Sequence, residues 1–392
     1  MLEVLDVAPG NSTVWGEGML VSARDATTIN SFMAHSTYLE DGSRSTGGHP
    51  SSAVIPALLA LGEARSVSGD KVILGLVLGY EVFIRVGKAL YPSTVTRGFQ
   101  PTAILASLGA AGGCAKLLDL KSDACAQALA IGTNLGSGLK AALHEAASQP
   151  LQVGRSCEGG LVAALLAERG LKGYVMILES YLDAHAEAPD KDKILEDLGE
   201  AYAIEETYLK LHGGCRGNHA PVDLSLKIIQ EHDLSAQEIE KIRIGIDSVT
   251  AGAEIHWPRN GQEAQFSIPF SVAAALIYGD ASLFQYTGEK VQDPAVRGLM
   301  ERVQVEIEPA LDKLLPSKRG ATGEVVSVDG RSYKDSLEFA RGEPEFPLTA
   351  QEIEAKFHLL AGEVLGERTS QVIDTIYDLE NLKTINQLTA LL

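Results

Sequence analysis

Between Lys210 and Asp223 the chain reads Lys-Leu-His-Gly-Gly-Cys-Arg-Gly-Asn-His-Ala-Pro-Val-Asp. A lysine, an arginine, two histidines and a cysteine stand around three glycines, and an apolar helical pattern (Leu224, Leu226, Ile228, Ile229) follows at once. Glycine lets backbone N–H groups approach a ligand closely, and a helix N-terminus carries partial positive charge. Pro221 fits a first helical turn, where its missing N–H costs nothing. The stretch reads as a receptor for a small anion, with titratable groups placed to act on it.

A second stretch repeats the design. Asp41-Gly-Ser43-Arg44-Ser-Thr-Gly-Gly-His49-Pro-Ser-Ser52 sets a glycine-rich loop before another apolar helical pattern (Val54, Ile55, Leu58, Leu59). Ser51 and Ser52 are of the types that cap helix N-termini. Arg97-Gly-Phe-Gln100-Pro-Thr102 and Gly154-Arg155-Ser-Cys157-Glu158-Gly-Gly160 again place arginine and glycine before a helical pattern. Any one of these reads equally well as a solvated, capped turn. Their recurrence implies several helix N-termini gathered on one polar pocket.

Other chemistries lack their residues. His144-Glu145 is followed by Ala-Ala-Ser148, so a His-Glu-x-x-His zinc helix is incomplete, and no other metal site is read. His212-Gly-Gly begins like an esterase oxyanion loop, but no Gly-x-Ser-x-Gly occurs. No dinucleotide fingerprint and no P-loop is present. His185, His232, His256 and His358 read as ordinary surface or partly buried histidines. Trp15, Trp257 and the scattered tyrosines form no stacking stripe for bases.

The 392 residues carry 33 Lys+Arg against 52 Asp+Glu, a formal net charge of −19. A surface that acidic argues against nucleic-acid binding and against attachment to anionic membranes. An anionic substrate then needs a local basic pocket, which the Lys210–His219 cluster supplies. The four cysteines (Cys114, Cys125, Cys157, Cys215) show no Cys-x-x-Cys spacing and no disulfide framework. The first residues lack the basic start and apolar stretch of a signal peptide, and the apolar runs 72–80 and 271–279 are too short to span a bilayer. A reducing cytoplasm is the expected location.

These loops must be held by larger elements. From about residue 22 to 207, Ala, Leu and Gly recur in helical periodicity. The pattern predicts helices over 23–37, 51–64, 69–89, 102–118, 122–142, 158–168 and 194–201, packed closely through small residues. After residue 207 the period changes. Ser235-Ala-Gln-Glu238 is a capping box, Lys241–Asp247 and Arg302–Glu308 alternate as half-buried strands, and 323–328 with 331–336 form a hairpin around Asp329-Gly330. An Ala-rich helix, 268–278, lies between, and helical periodicity returns near 350–364 and 369–377. The expectation is a mainly α protein with an inserted smaller α+β domain: residues 1–207 plus 347–392 helical, and 208–346 α+β.

Lys210, Cys215, Arg216, His219 and Asp223 form a Lys-x(4)-Cys-Arg-x-x-His-x-x-x-Asp pattern that resembles the MmgE/PrpD family. That family includes 2-methylcitrate dehydratases, cis-aconitate decarboxylases and an iminodisuccinate epimerase. Ala34-His35, Glu40-Asp41 and His49-Pro-Ser51 are similar to its other signature, as is Phe266-Ser-Ile-Pro-Phe-Ser-Val-Ala-Ala-Ala-Leu. The likeness runs from about residue 10 to the end. It implies a helical domain with a small α+β domain, a homodimer, and no metal or organic cofactor. It also implies several helices ahead of Gly10–Gly16, and the sequence begins short of them.

By that resemblance His49, Lys210 and His219 fall on active-site positions, with Asp41, Ser43, Arg97, Cys215 and Arg216 nearby. Arg44 and Arg155 join them as candidate carboxylate binders. The chain departs from the decarboxylases of the family in carrying Glu158 for lysine, Cys215 for histidine, Gln100 for histidine and Phe270 for tyrosine. Those departures favour dehydration of a 2-methylcitrate-like acid over decarboxylation.

Such a dehydration needs a base for the proton next to a carboxylate, cations for the charge that develops there, and an acid for the leaving hydroxyl. Lys210 and His49 are the expected proton-transfer pair, Arg216 and His219 the carboxylate binders, with roles interchangeable. Epimerisation uses the first two requirements only. The non-enzymatic alternative is a carboxylate-binding protein with a degenerated site.

Overall fold

The computed structural model describes residues 6–392, and the side chains of residues 144–147, hence His144 and Glu145, lie outside the described residues. Two compact units divide the chain. One comprises residues up to Ser36, Glu40–Thr207 and Ala350–Leu392; the other comprises Thr37–Leu39 and Tyr208–Thr349.

The first unit opens with a short antiparallel hairpin, β1 (Pro9–Val14) and β2 (Met19–Val21). Seven α-helices of nine residues or more follow among the described residues: α1 (Ala23–Ser36), α2 (Pro50–Arg65), α3 (Gly69–Leu90), α4 (Pro101–Leu117), α5 (Ser122–Gly132), α6 (Gln149–Glu168) and α7 (Ile177–His185). Glycine decides how closely they approach. On α4, a Cβ at Gly113 would meet the Gly75 carbonyl oxygen of α3 at 2.8 Å, and on α6 a Cβ at Gly160 would meet the Ser107 carbonyl oxygen at 2.4 Å. Backbone-to-backbone packing of this kind buries α4 along nearly its whole length. Phe83, Leu58, Ile104, Leu108 and Leu161 fill the core around it.

Three expected helices are placed differently. The helix expected over 158–168 begins at Gln149, so Gly154, Gly159 and Gly160 are helix-packing residues and not a loop. The helix expected over 122–142 stops at Gly132, because Gly136 runs so close to α4 that a Cβ would meet Ser107 Oγ at 2.5 Å. Over 194–201 the chain makes no α-helix: Asp197 and Gly199 take left-handed backbone (φ 52° and 86°), and the regular helix of this region is α7.

In the second unit, α8 (His219–Glu231) and α9 (Ile268–Tyr278) pack on a four-stranded sheet. Its strands are β3 (Ile239–Ile246), β4 (Val303–Ile307), β5 (Ala321–Ser327) and β6 (Ser332–Leu337), in the order β4-β3-β5-β6. β3 runs parallel to β4 and antiparallel to β5, and β5 to β6 is the expected hairpin, with Gly330 at φ 85° in its turn. Ile242, Ile244 and Ile246 alternate inward, as period two dictates, and join Leu224 and Ile228 of α8 in one core. The Ser235–Glu238 capping box is present, with both the backbone N–H and the hydroxyl of Ser235 donating to Glu238. The chain then returns to the first unit through α10 (Ala350–Leu365) and α11 (Arg368–Tyr377). Among the described residues no helix is long and apolar enough to cross a membrane.

Candidate active site

The loop from α1 to α2 is tied to the helices it joins. His49, not Ser51 or Ser52, is the N-cap of α2, and its side chain makes no cap bond. The cap comes from upstream: Asp41 Oδ1 accepts the Ser51 N–H at 3.0 Å, while Oδ2 accepts the Tyr80 hydroxyl of α3 at 2.7 Å. Burial raises the Asp41 carboxyl above its ordinary range, against the lowering effect of the Tyr80 and Ser51 hydrogen bonds. Burial, with the neighbouring Asp41 charge, pushes the Tyr80 phenol well up, so Tyr80 stays a donor.

His49 Nδ1 lies 2.6 Å from the Asp41 carbonyl oxygen. A carbonyl only accepts, so Nδ1 carries the proton, and in the neutral ring Nε2 carries the lone pair. The His49 N–H donates to Thr102 Oγ1 at 3.1 Å, which joins the N-termini of α2 and α4. Beside His49, at 5.7 Å between rings, stands His35, the buried last-turn residue of α1. Its Nδ1 lies 2.9 Å from Glu40 Oε1, and its Nε2 lies 3.0 Å from Gln149 Nε2 and 3.4 Å from Gln100 Nε2. Two amide donors at Nε2 place the His35 proton on Nδ1, facing Glu40.

The remaining candidates of this unit are dispersed. Ser43 is buried and exchanges a 3.0 Å hydrogen bond with Ser45, and Arg44 is half-buried. Arg97 is exposed, its guanidinium 5.9 Å from the Phe99 ring centroid. Arg155 lies inside α6 and not in a loop before it, with its side chain 57% exposed and 3.5 Å from Glu158. Glu158 also accepts from Arg24 Nε at 2.7 Å, so both neighbouring cations are turned onto it.

In the second unit the Lys210–Asp223 stretch folds as a pinned loop. Gly214 sits at φ 92°, where a Cβ would meet the Gln265 carbonyl oxygen at 2.4 Å; that oxygen accepts the Cys215 N–H at 2.7 Å. Asn218 Nδ2 donates to the same carbonyl at 3.0 Å and to Ser271 Oγ at 2.9 Å. Lys210 is 1% exposed, and its Nζ donates to the Tyr38 carbonyl at 2.7 Å. His219, fully buried, opens α8 with its ring 5.3 Å from that of His212. Cys215 is half-buried.

Arg216, expected to clamp a substrate carboxylate, spends its fork on the chain itself. Nε donates to Glu343 Oε1 at 2.9 Å and Nη2 donates to the same oxygen, while the guanidinium stacks 4.7 Å from the Tyr208 ring. Nη1 makes no hydrogen bond among the described residues. Guanidinium and carboxylate are 4% and 0% exposed, a buried pair that neutralises itself.

Sequence reasoning passed over His35, Glu40, Tyr80 and Gln149 in the first unit, and His212, Asp223 and Glu343 as partners in the second. The Ala34-His35 and Glu40-Asp41 runs signalled His35 and Glu40, and the Lys210–Asp223 stretch held His212 and Asp223; Tyr80, Gln149 and Glu343 had no signal. Among the described residues no group of three or more His, Cys, Asp or Glu side chains is placed to hold a metal ion.

Comparison with known proteins bears on these two clusters. Cis-aconitate decarboxylase of Homo sapiens is 28% identical over 401 residues, covering 97% of this chain and 82% of that protein. Cis-aconitate decarboxylase of Aspergillus terreus is 26% identical over 412 residues, 98% of this chain and 84% of its own length. A cis-aconitate decarboxylase-like protein of Aspergillus oryzae is 26% identical over 413 residues, with 98% and 85% covered. Residues 4–183 match the MmgE/PrpD N-terminal domain and residues 212–380 the MmgE/PrpD C-terminal domain. The chain belongs to the MmgE/PrpD family.

Proposed function

We propose that the protein is a lyase acting on a small polycarboxylate, by removal of a proton from the carbon next to a carboxylate. The observation that carries this reading is the Asp41 carbonyl at His49 Nδ1, which fixes the ring in the tautomer of a base at Nε2. Lys210, a buried ammonium with a carbonyl partner, supplies fixed positive charge for the carboxylate as electron density moves onto it. His219 completes the set as a further proton carrier or carboxylate binder. In the dehydration of a 2-methylcitrate- or alkylcitrate-like acid, the C–H electrons form the C=C bond, the C–O bond breaks, and the hydroxide leaves protonated as water.

The names of the relatives favour a second reading, decarboxylation of a cis-aconitate-type acid. Against it stand Gln100, which caps α4 and meets His35, and Glu158, held by Arg24 and Arg155. Neither is the proton carrier that the resembling decarboxylases have there. Epimerisation of an iminodisuccinate-like acid shares the first step.

Incubation with 2-methylcitrate, longer alkylcitrates, cis-aconitate and iminodisuccinate in deuterated water, followed by NMR, separates these outcomes. A new alkene with loss of the hydroxyl supports dehydration; carbon dioxide release replaces it with decarboxylation. Deuterium incorporation alone indicates epimerisation, and a rise in melting temperature without exchange indicates a binding protein. Lys210→Met should then lower turnover by about 100-fold or more. The exposed apolar run Leu171, Tyr174, Val175 and Met176 supports the further reading of a homodimer, which light scattering would show as a mass of two chains.

A further inference from the structure

One pair in the second unit has no part in the reaction as written. His212 Nε2 lies 2.7 Å from Asp223 Oδ1, with the two side chains 9% and 10% exposed. Asp223 Oδ2 accepts the Arg341 backbone N–H at 2.8 Å, so the carboxylate is fixed at both oxygens. The loop around the ring is equally constrained, since the Gly213 N–H donates to the Ala281 carbonyl at 2.8 Å and Gly214 is locked in left-handed backbone. A carboxylate only accepts, so Nε2 carries a proton. Among the described residues none hydrogen-bonds the other ring nitrogen, Nδ1.

A carboxylate behind an imidazole whose second nitrogen is unengaged is the arrangement of a general acid–base group. Its surroundings fit that use: the His219 ring is 5.3 Å away, on the residue that opens α8. Asp223 lies one turn into that same helix, so the carboxylate that holds the His212 ring is itself held by a rigid element.

We propose that His212 is the acid that protonates the leaving hydroxyl, and that Asp223 is its positioning residue. The ring takes up a second proton from solvent at Nδ1, with Asp223 balancing the imidazolium charge; that proton passes to the departing oxygen as the C–O bond breaks, water leaves, and the neutral Nε2–H ring remains. The inference rests on the dehydration reading and assigns a residue to its second half.

The test compares wild type, His212→Gln and Asp223→Asn on the alkylcitrate that wild type dehydrates, in deuterated water. In His212→Gln, elimination should fall about 100-fold or more while KM stays within about threefold, and deuterium should still enter the substrate next to the carboxylate. Asp223→Asn should show the same split to a smaller degree, with Asp223→Glu restoring part of the elimination rate. Equal loss of exchange and elimination, or loss that only follows a lower melting temperature, would make the pair structural and overturn the proposal. Elimination within about threefold of wild type in His212→Gln would overturn it as well. A wild type that exchanges and eliminates nothing defeats the dehydration reading itself, a result distinct from a variant that keeps full activity.

Discussion

The two clusters solve different problems with the same residue types. Around His49 and His35 the ring protons are set by neutral partners, a backbone carbonyl and two glutamine amides, with the buried acids Glu40 and Asp41 alongside. Around Lys210 the chain buries charge, and each cation has a committed acceptor: the Tyr38 carbonyl for Lys210 and Glu343 for Arg216. The first arrangement controls where a proton sits, and around Lys210 and Arg216 the second controls where charge sits. Histidine count alone would not separate them; the partner on each ring nitrogen does.

The contrast can be broken most directly at His49. His49→Ala should lower turnover of the true substrate by about 10²- to 10⁴-fold, well beyond the loss of about 1–3 kcal/mol of stability expected from removing the donor to the Asp41 carbonyl. Near-normal turnover would dissolve the distinction between the clusters. Arg216→Met tests the other side. It takes the guanidinium away from the buried Glu343 carboxylate and should cost about 3–5 kcal/mol in denaturant unfolding, whereas Arg216→Met with Glu343→Leu should recover most of it. If the single variant were as stable as wild type but failed to bind substrate, Arg216 would be the carboxylate clamp after all.

Tyr80→Phe sharpens the comparison within the first cluster. It removes the hydroxyl that Asp41 accepts and should cost about 1–3 kcal/mol in thermal or denaturant unfolding, with the Asp41 carboxyl rising further. The smallest effect is a pH slope outside both clusters. Burial raises the Glu254 carboxyl from 4.5 to about 7, so between those values the folded chain holds a proton that the unfolded chain releases. Stability contributed by that group therefore falls as pH rises from about 4.5 to about 7, and Glu254→Gln should flatten the slope of melting temperature in that window. An unchanged slope would show that burial does not keep the Glu254 carboxyl protonated in that window.

Periodicity made most of the fold legible. Clean alternation in Lys241–Asp247 and the Asp329-Gly330 turn identified strand and hairpin because both are local signals. Glycine misled in one place: Gly154, Gly159 and Gly160 look like a loop, yet their function is to let α6 touch neighbouring backbone, and only tertiary contact reveals that. The site divides in the same way. His49, Lys210 and His219 stand in glycine-rich stretches that announce themselves. Their partners do not: Gln149 is 114 residues from His35, and Glu343 is 127 from Arg216. Partnership over such separations is a property of packing, which no spacing rule encodes.

The hydrogen bond from Lys210 to Tyr38 spans 172 residues of sequence. Tyr38 belongs with Thr37 and Leu39 to the same compact unit as Lys210, although the chain on both sides of that tripeptide belongs to the other unit. The α+β unit is therefore not a contiguous module. A fragment cut at residues 208–349 would retain every residue of the Lys210–Asp223 stretch and still lose the Tyr38 carbonyl to which the buried Lys210 donates. Recombination between homologues at the boundary near residue 207 would meet the same obstacle, so Thr37–Leu39 and the lysine loop must be inherited together for either to work.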